Sequence, residues 1–289
     1  MVRTRVVMGL SLLAGFLLLA WLDSRLSGGP LFHVFIGAVV VCGLLEFYAL
    51  AERQDYRPLK TLAVALVAAL VALDYALRVE RGGALARWLP DYSTTLLGFY
   101  AVIGLATTVV FGVLAVAHLV GRDPQRTLPD LSVTMLGVLY VWILGMHVLA
   151  IRGLGMAYVL IFLAAAKLGD AGAYFCGMRF GRHALAPRTS PKKTAEGAVG
   201  GLLASAVAGV LVAKAFAVNG SLGYWAGFSL AVAVAAQVGD LLESALKRSV
   251  GAKDSGGFLP TFGGILDLID SPLLSAPVAL WILAWAPPA

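Results

Sequence analysis

Apolar residues fall in long blocks along this chain, and polar and charged residues gather in the short intervals between them. A helix that crosses a bilayer needs about 20 consecutive, mostly apolar residues. Nine blocks approach that length, at residues 6–22, 31–50, 61–77, 95–119, 131–150, 155–176, 197–217, 224–246 and 264–286. The pattern predicts an all-α polytopic membrane protein of about nine transmembrane helices. No polar interval is long enough for a separate soluble domain. Residues 1–289 are therefore expected to form a single membrane domain, with N-terminal helices over 1–150 and motif-bearing helices and cytoplasmic loops over 155–286.

Composition narrows this further. Hydrophobic residues make up 60% of the 289 positions and charged residues only 13%, against about 25% charged in a soluble domain. Soluble classes are set aside. The net charge of +6 reads as loops facing anionic lipid rather than as a nucleic-acid surface. Cys42 and Cys176 form no disulfide framework or zinc spacing, and His33, His118, His147 and His183 are scattered. Arg3 and Arg5 precede the first apolar run as in a signal peptide. The run is long for one, and no small-x-small cleavage site follows it, so it is read as an uncleaved first helix.

Lys and Arg positions set the orientation. With a cytoplasmic N-terminus, fifteen of these residues face inside and five (Arg25, Arg78, Arg81, Arg87, Arg152) face outside. That places both charged motif regions on the cytoplasmic side.

The chemistry-bearing residues lie in three stretches. The first is the helix ending near Arg248. Gln237, Asp240, Ser244 and Lys247 follow one helical face, and Glu243 joins them. A polar stripe on an apolar helix must face a bundle interior or a wet cavity; a plain interhelical polar contact is the simpler alternative. The second is Asp267, Asp270 and Ser271, on one face just after Gly263-Gly264. Two carboxylates there make a natural site for an oxygen-seeking cation, although carboxylates at a helix N-terminus also suit its dipole. The third runs from Asp170 through Tyr174 and His183 into Ser190-Pro-Lys-Lys-Thr194. Ser190, Lys192, Lys193 and Thr194 put hydroxyl and ammonium groups just before a helix, an arrangement that suits phosphate. A basic loop that only meets lipid headgroups is the alternative. Gly-Gly pairs at 200–201, 256–257 and 263–264 allow close helix approach or a tight turn near a ligand. Glu46 and Asp74 read more simply as buried polar partners or interfacial residues than as functional acids. Trp281 and Trp285 read as an interfacial belt. Together, carboxylates for a cation beside Lys and Arg for phosphates point to metal-assisted phosphoryl chemistry at a membrane surface.

The run Ser244 to Ser271 resembles the signature of the phosphatidate cytidylyltransferase (CDP-diacylglycerol synthase) family. Ser244, Leu246, Lys247, Arg248, Lys253, Asp254, Gly256, Pro260, Gly263, Gly264, Asp267, Asp270 and Ser271 stand in register with it. Residues 190–197 resemble a second family block and Asp170–Tyr174 a third. Two positions depart: Phe262 stands where the family has His, and Leu268 where it has Arg.

The resemblance implies a cell-membrane enzyme that joins CTP to phosphatidic acid at its cytoplasmic face, releasing pyrophosphate. It implies Mg²⁺ held by Asp240 and Asp267, with Asp270 close by. Lys193, Lys247, Arg248 and Lys253 are expected to hold the triphosphate or the lipid phosphate, with Ser190, Lys192, Thr194, Ser244 and Asp254 alongside. Bilayer lipids are expected partners, nucleic acid is not, and a homodimer is compatible with the reading. The alternatives carried are a divergent or inactive paralogue, a CTP-dependent polyprenol kinase, and a cation-coupled transporter. The absence of any internal repeat argues against the last.

Overall fold

The computed structural model describes residues 2–26, 29–79, 95–257 and 263–285, with side chains from residue 8 onward. Phe262, Pro260, Arg81 and Arg87 lie outside the described residues, as do the side chains of Arg3 and Arg5.

The apolar blocks become helices. These are α1 (Val2–Asp23), α2 (Pro30–Glu52), α3 (Lys60–Val79), α4 (Leu96–Gly121), α5 (Thr127–Gly137), α6 (Leu144–Leu154), α7 (Met156–Phe180), α8 (Ala195–Ala215), α9 (Leu222–Ser249) and α10 (Ile265–Trp285). A π-helical stretch, Val138–Ile143, joins α5 to α6, so that Pro124–Leu154 forms one long apolar element. Among the described residues, eight helices are long and apolar enough to cross a membrane, and Met8–Asp23 forms a shorter apolar helix. The chain is an all-α polytopic membrane protein, as its pattern predicts. A short hairpin interrupts the helices. Strands β1 (Ala184–Ala186) and β2 (Ser190–Thr194) pair antiparallel, with Ala184 opposite Thr194 and Ala186 opposite Ser190.

Local chemistry explains the helix ends. Pro30 opens α2 after Gly29, which takes the left-handed conformation at φ 64°. Thr95, Thr194 and Ser221 each cap a helix by accepting a backbone N–H, from Gly98, Gly197 and Tyr224 respectively. Gly155, at φ 145°, breaks the chain between α6 and α7.

The helices divide into two compact units. One comprises residues 1–149 with 254–268, and the other residues 150–253 with 269–289. The motif segment 254–268 thus belongs with the N-terminal helices, and the seam falls inside α10 after Leu268.

In the first unit Phe32, Leu44, Tyr48, Val67, Leu114 and Trp142 are buried. The Tyr48 hydroxyl donates to the Thr134 carbonyl at 2.8 Å. A buried polar group sits among these side chains. Asp74 meets Arg78 Nε at 2.9 Å and His33 Nε2 at 3.3 Å, and His33 Nδ1 meets the Gly29 carbonyl at 2.9 Å. Asp74 is thus the buried polar partner its sequence context suggests.

In the second unit α7 and α8 approach closely through small residues. A Cβ on Gly172 would strike Ala204, and one on Gly200 would strike Cys176. Packing through small residues is how helices associate in lipid, where apolar burial offers little drive. The Gly200-Gly201 pair therefore serves helix approach, while the later pairs serve a different purpose described below.

Candidate active site

Each unit carries its own polar constellation. In the second unit the centre is Lys167 on α7. Its ammonium donates to Ser271 Oγ at 2.8 Å, Asp270 Oδ1 at 3.4 Å and Asp170 Oδ2 at 3.5 Å. Ser271 Oγ lies 2.8 Å from Asp170 Oδ2, and the Ser271 N–H donates to Asp270 Oδ1 at 2.6 Å. Asp270 is 8% exposed and Ser271 fully buried. Such groups persist away from water only when charge and hydrogen bonding are both satisfied. Asp240 on α9 feels the same field, since Asp170 and Asp240 both act electrostatically on Asp270. Asp240 is itself ion-paired with Lys193 at the end of β2. The helical spacing of α7 puts Lys167 and Asp170 on one face, and α10 brings Asp270 and Ser271 to them.

The rest of the α9 stripe divides. Gln237 Nε2 donates to the Ala198 carbonyl at 2.9 Å, an interhelical contact. Glu243 is fully buried and pairs with Lys247 at 2.5 Å. An Arg248 guanidinium N–H donates to the Ala252 carbonyl at 3.0 Å and shapes the turn after α9. Ser244 is half-buried, whereas Lys192, Lys253 and Asp254 are exposed.

Around the hairpin, Ser190 begins β2 opposite Ala186, and the Thr194 hydroxyl is committed to the α8 cap. The Glu196 carboxylate accepts the backbone N–H groups of Arg182 and His183 at 3.0 and 3.2 Å, and meets His183 Nδ1 at 2.6 Å. It clamps the loop between α7 and the hairpin. His183 thus serves that clamp.

The first unit holds Asp267. Its Oδ2 accepts the N–H groups of Gly264 at 2.7 Å and Ser255 at 2.9 Å, and the Ser255 hydroxyl at 2.8 Å. Glu46 on α2 faces the same segment. Its oxygens accept the N–H groups of Ile265 at 2.9 Å and Leu266 at 2.8 Å, and Oε2 lies 3.1 Å from the Ser255 hydroxyl. The first amide groups of a helix have no partner within it, and here two carboxylates supply partners for α10. A Cβ on Gly256 would lie 2.5 Å from Glu46 Oε1, and one on Gly264 would strike both Glu46 and Ser255. Gly256 and Gly264 thus leave room for the chain's own carboxylate, Glu46.

Lys167 escaped the sequence reading because it lies inside an apolar block. The signal was nonetheless present: an ammonium on a spanning helix marks a functional site by default. Glu46 carried the same signal, an acid on a spanning helix, but its partners, 209 or more positions away, could not be read from the sequence.

Among the described residues no three His, Cys, Asp or Glu side chains form a ready cation cage. Mg²⁺ takes hard oxygen ligands and is commonly held by one or two carboxylates plus substrate phosphates. Asp170, Asp240 and Asp270 offer those oxygens, and two ammonium groups stand against them.

The sequence profile of the cytidylyltransferase family matches residues 3–286. The chain is 30% identical over 262 residues to a phosphatidate cytidylyltransferase of Staphylococcus saprophyticus, covering 90% of this chain and 93% of the relative. A phosphatidate cytidylyltransferase of Staphylococcus haemolyticus is 30% identical over 263 residues, with the same coverage. One from Thermotoga maritima is 36% identical over 179 residues, 60% of this chain and 64% of that protein. With the family profile spanning nearly its whole length, this multi-pass membrane protein belongs to the cytidylyltransferase family.

Proposed function

We propose that the chain is a phosphatidate cytidylyltransferase, converting CTP and phosphatidic acid to CDP-diacylglycerol and pyrophosphate. The observation that carries this reading is the cluster of Lys167, Asp170, Asp270 and Ser271, beside the Lys193–Asp240 pair. Carboxylates and ammonium groups interleave there, as a reaction between two anionic substrates requires. The names of the relatives supply the substrates.

A phosphate oxygen of phosphatidate attacks the α-phosphorus of CTP. The bond from that phosphorus to the bridging oxygen of the β-phosphate breaks, and pyrophosphate departs with the electron pair. The attacking phosphate is already ionised near pH 7, because its second pKa is about 6. No general base is needed. The task of the protein is to neutralise charge and align the two phosphates. Lys193 reaches in from the hairpin and would hold the triphosphate. Lys167 bridges Asp170 and Asp270. Lys247 and Arg248 close α9, with Lys253, Ser190, Lys192, Thr194, Ser244 and Asp254 as the further substrate contacts the resemblance implies. The resemblance implies Asp240 and Asp267, with Asp270 close by, as the residues that would hold Mg²⁺. When bound, the cation draws charge from the phosphate oxygens.

The location proposed is the cytoplasmic face of the cell membrane, supported by the bias of Lys and Arg across the loops. The test is pyrophosphate release by purified protein supplied with CTP, phosphatidic acid and Mg²⁺, with Asp270→Asn as control. Mg²⁺-dependent release with CDP-diacylglycerol formed is the expected result. CDP release with a phosphorylated lipid would point to a kinase instead. Folded protein that yields neither product would overturn the reading.

A further inference from the structure

Glu46 lies more than 200 positions from each of the three residues of the signature segment that it contacts. Ile265 N–H, Leu266 N–H and the Ser255 hydroxyl all meet its carboxylate, while Gly256 and Gly264 leave the space it occupies. The Ser255 hydroxyl is within reach of both Glu46 Oε2 and Asp267 Oδ2, and the Asp267 N–H donates to Ser255 Oγ at 3.3 Å. Glu46, Ser255 and Asp267 thus form one chain of hydrogen bonds running from α2 into the first turn of α10. All three belong to the same compact unit.

From this geometry we infer that Glu46 is a positioning residue for the reaction: a fixed internal anion that sets the backbone of the signature segment and, through Ser255, the orientation of the Asp267 carboxylate. The physical reason is that both carboxylate oxygens act as acceptors. Four donors converge on Glu46 and Asp267 from the backbone, and only acceptors can answer them. A carboxylate that is to bind a cation must be held by partners in a second layer, and loosening those partners weakens the site. This inference rests on the proposed role of Asp267 in the transferase reaction.

Glu46→Gln tests it. The side-chain amide keeps the shape but turns an N–H₂ group toward backbone donors. Three quantities are read: kcat, the half-saturating Mg²⁺ concentration, and deuterium exchange at the amides of Ser255, Gly264, Ile265 and Leu266. Expected are a kcat at least tenfold lower, a several-fold higher half-saturating Mg²⁺ concentration, and faster exchange confined to those amides. Glu46→Asp, which keeps both acceptor oxygens, should recover part of each. A purely structural role would lower the folded fraction and leave the Mg²⁺ curve of the remaining enzyme unchanged. That result, or wild-type kcat in Glu46→Gln, overturns the inference. If Glu46→Gln does not fold, Ser255→Ala removes only the shared hydroxyl, and the same readings decide the matter. Wild-type protein that forms no CDP-diacylglycerol would overturn the reaction itself. Wild-type protein that turns over with Glu46→Gln unaffected would overturn only the role of Glu46.

Discussion

The ammonium of Lys167 stands 2.8 Å from the hydroxyl of Ser271, across 104 positions of sequence. The contact joins α7 to α10, and it places the ammonium between the carboxylates of Asp170 and Asp270. Each acid therefore has a partner that would be missed.

Replacing Lys167 with Met should strand two carboxylates near one another. Lys167 is 35% exposed at its side chain and Asp270 11%, so solvent screens part of the loss. A cost of about 1–3 kcal/mol is expected, below the full penalty for breaking a buried pair. Thermal unfolding in detergent would report it. The double variant Lys167→Met/Asp170→Asn should lose less than the two single changes combined, by about 1 kcal/mol. Strict additivity would mean that the two side chains do not act together.

Asp267→Asn keeps one oxygen acceptor for the Ser255 and Gly264 amides. Helix α10 should persist, with a stability loss of about 1 kcal/mol, as for a weakened cap. Turnover should fall by about 100-fold or more, the scale on which loss of a charge-stabilising group acts. CDP-diacylglycerol formation measured beside the melting midpoint separates the two effects. Turnover at the wild-type rate would remove Asp267 from the chemistry.

The Gly256-Gly257 and Gly263-Gly264 pairs give a comparison that needs no substrate. A Cβ on Gly264 would collide with Glu46 and Ser255, whereas one on Gly257 meets nothing within 4 Å. Gly264→Ala should destabilise the segment by about 1–3 kcal/mol, as overpacking does. Gly257→Ala should be near neutral. Limited proteolysis of both variants, alongside activity, checks the difference. Equal tolerance would mean that the Glu46 pocket can open without cost.

Asp74→Ala removes the shared partner of His33 and Arg78. Leaving the buried Arg78 guanidinium uncompensated should cost about 3–5 kcal/mol. The KM for CTP in the remaining folded enzyme should be unchanged, because this group supports the α2–α3 contact. A raised KM at unchanged stability would give Asp74 a functional role instead.

The block pattern alone determined the membrane class and the positions of most helices, because the bilayer demands about 20 apolar residues per crossing. It also singled out the acids at 240, 267 and 270, since charge is expensive in hydrocarbon and stands out against it, and the lysine at 193 by its place just before a helix. The first helix was legible as apolar, but its described apolar part is shorter than a full span.

Tertiary structure alone decided which charges meet. Hydropathy records burial along one chain, whereas an ion pair depends on how distant helices are brought together. Lys167 and Asp270, Lys193 and Asp240, and Glu46 and the first amides of α10 become partners only in three dimensions. The same holds for the glycine pairs. Sequence shows where a Cβ is missing, and only the packed structure shows that a helix fills the space at Gly200 and a carboxylate at Gly264.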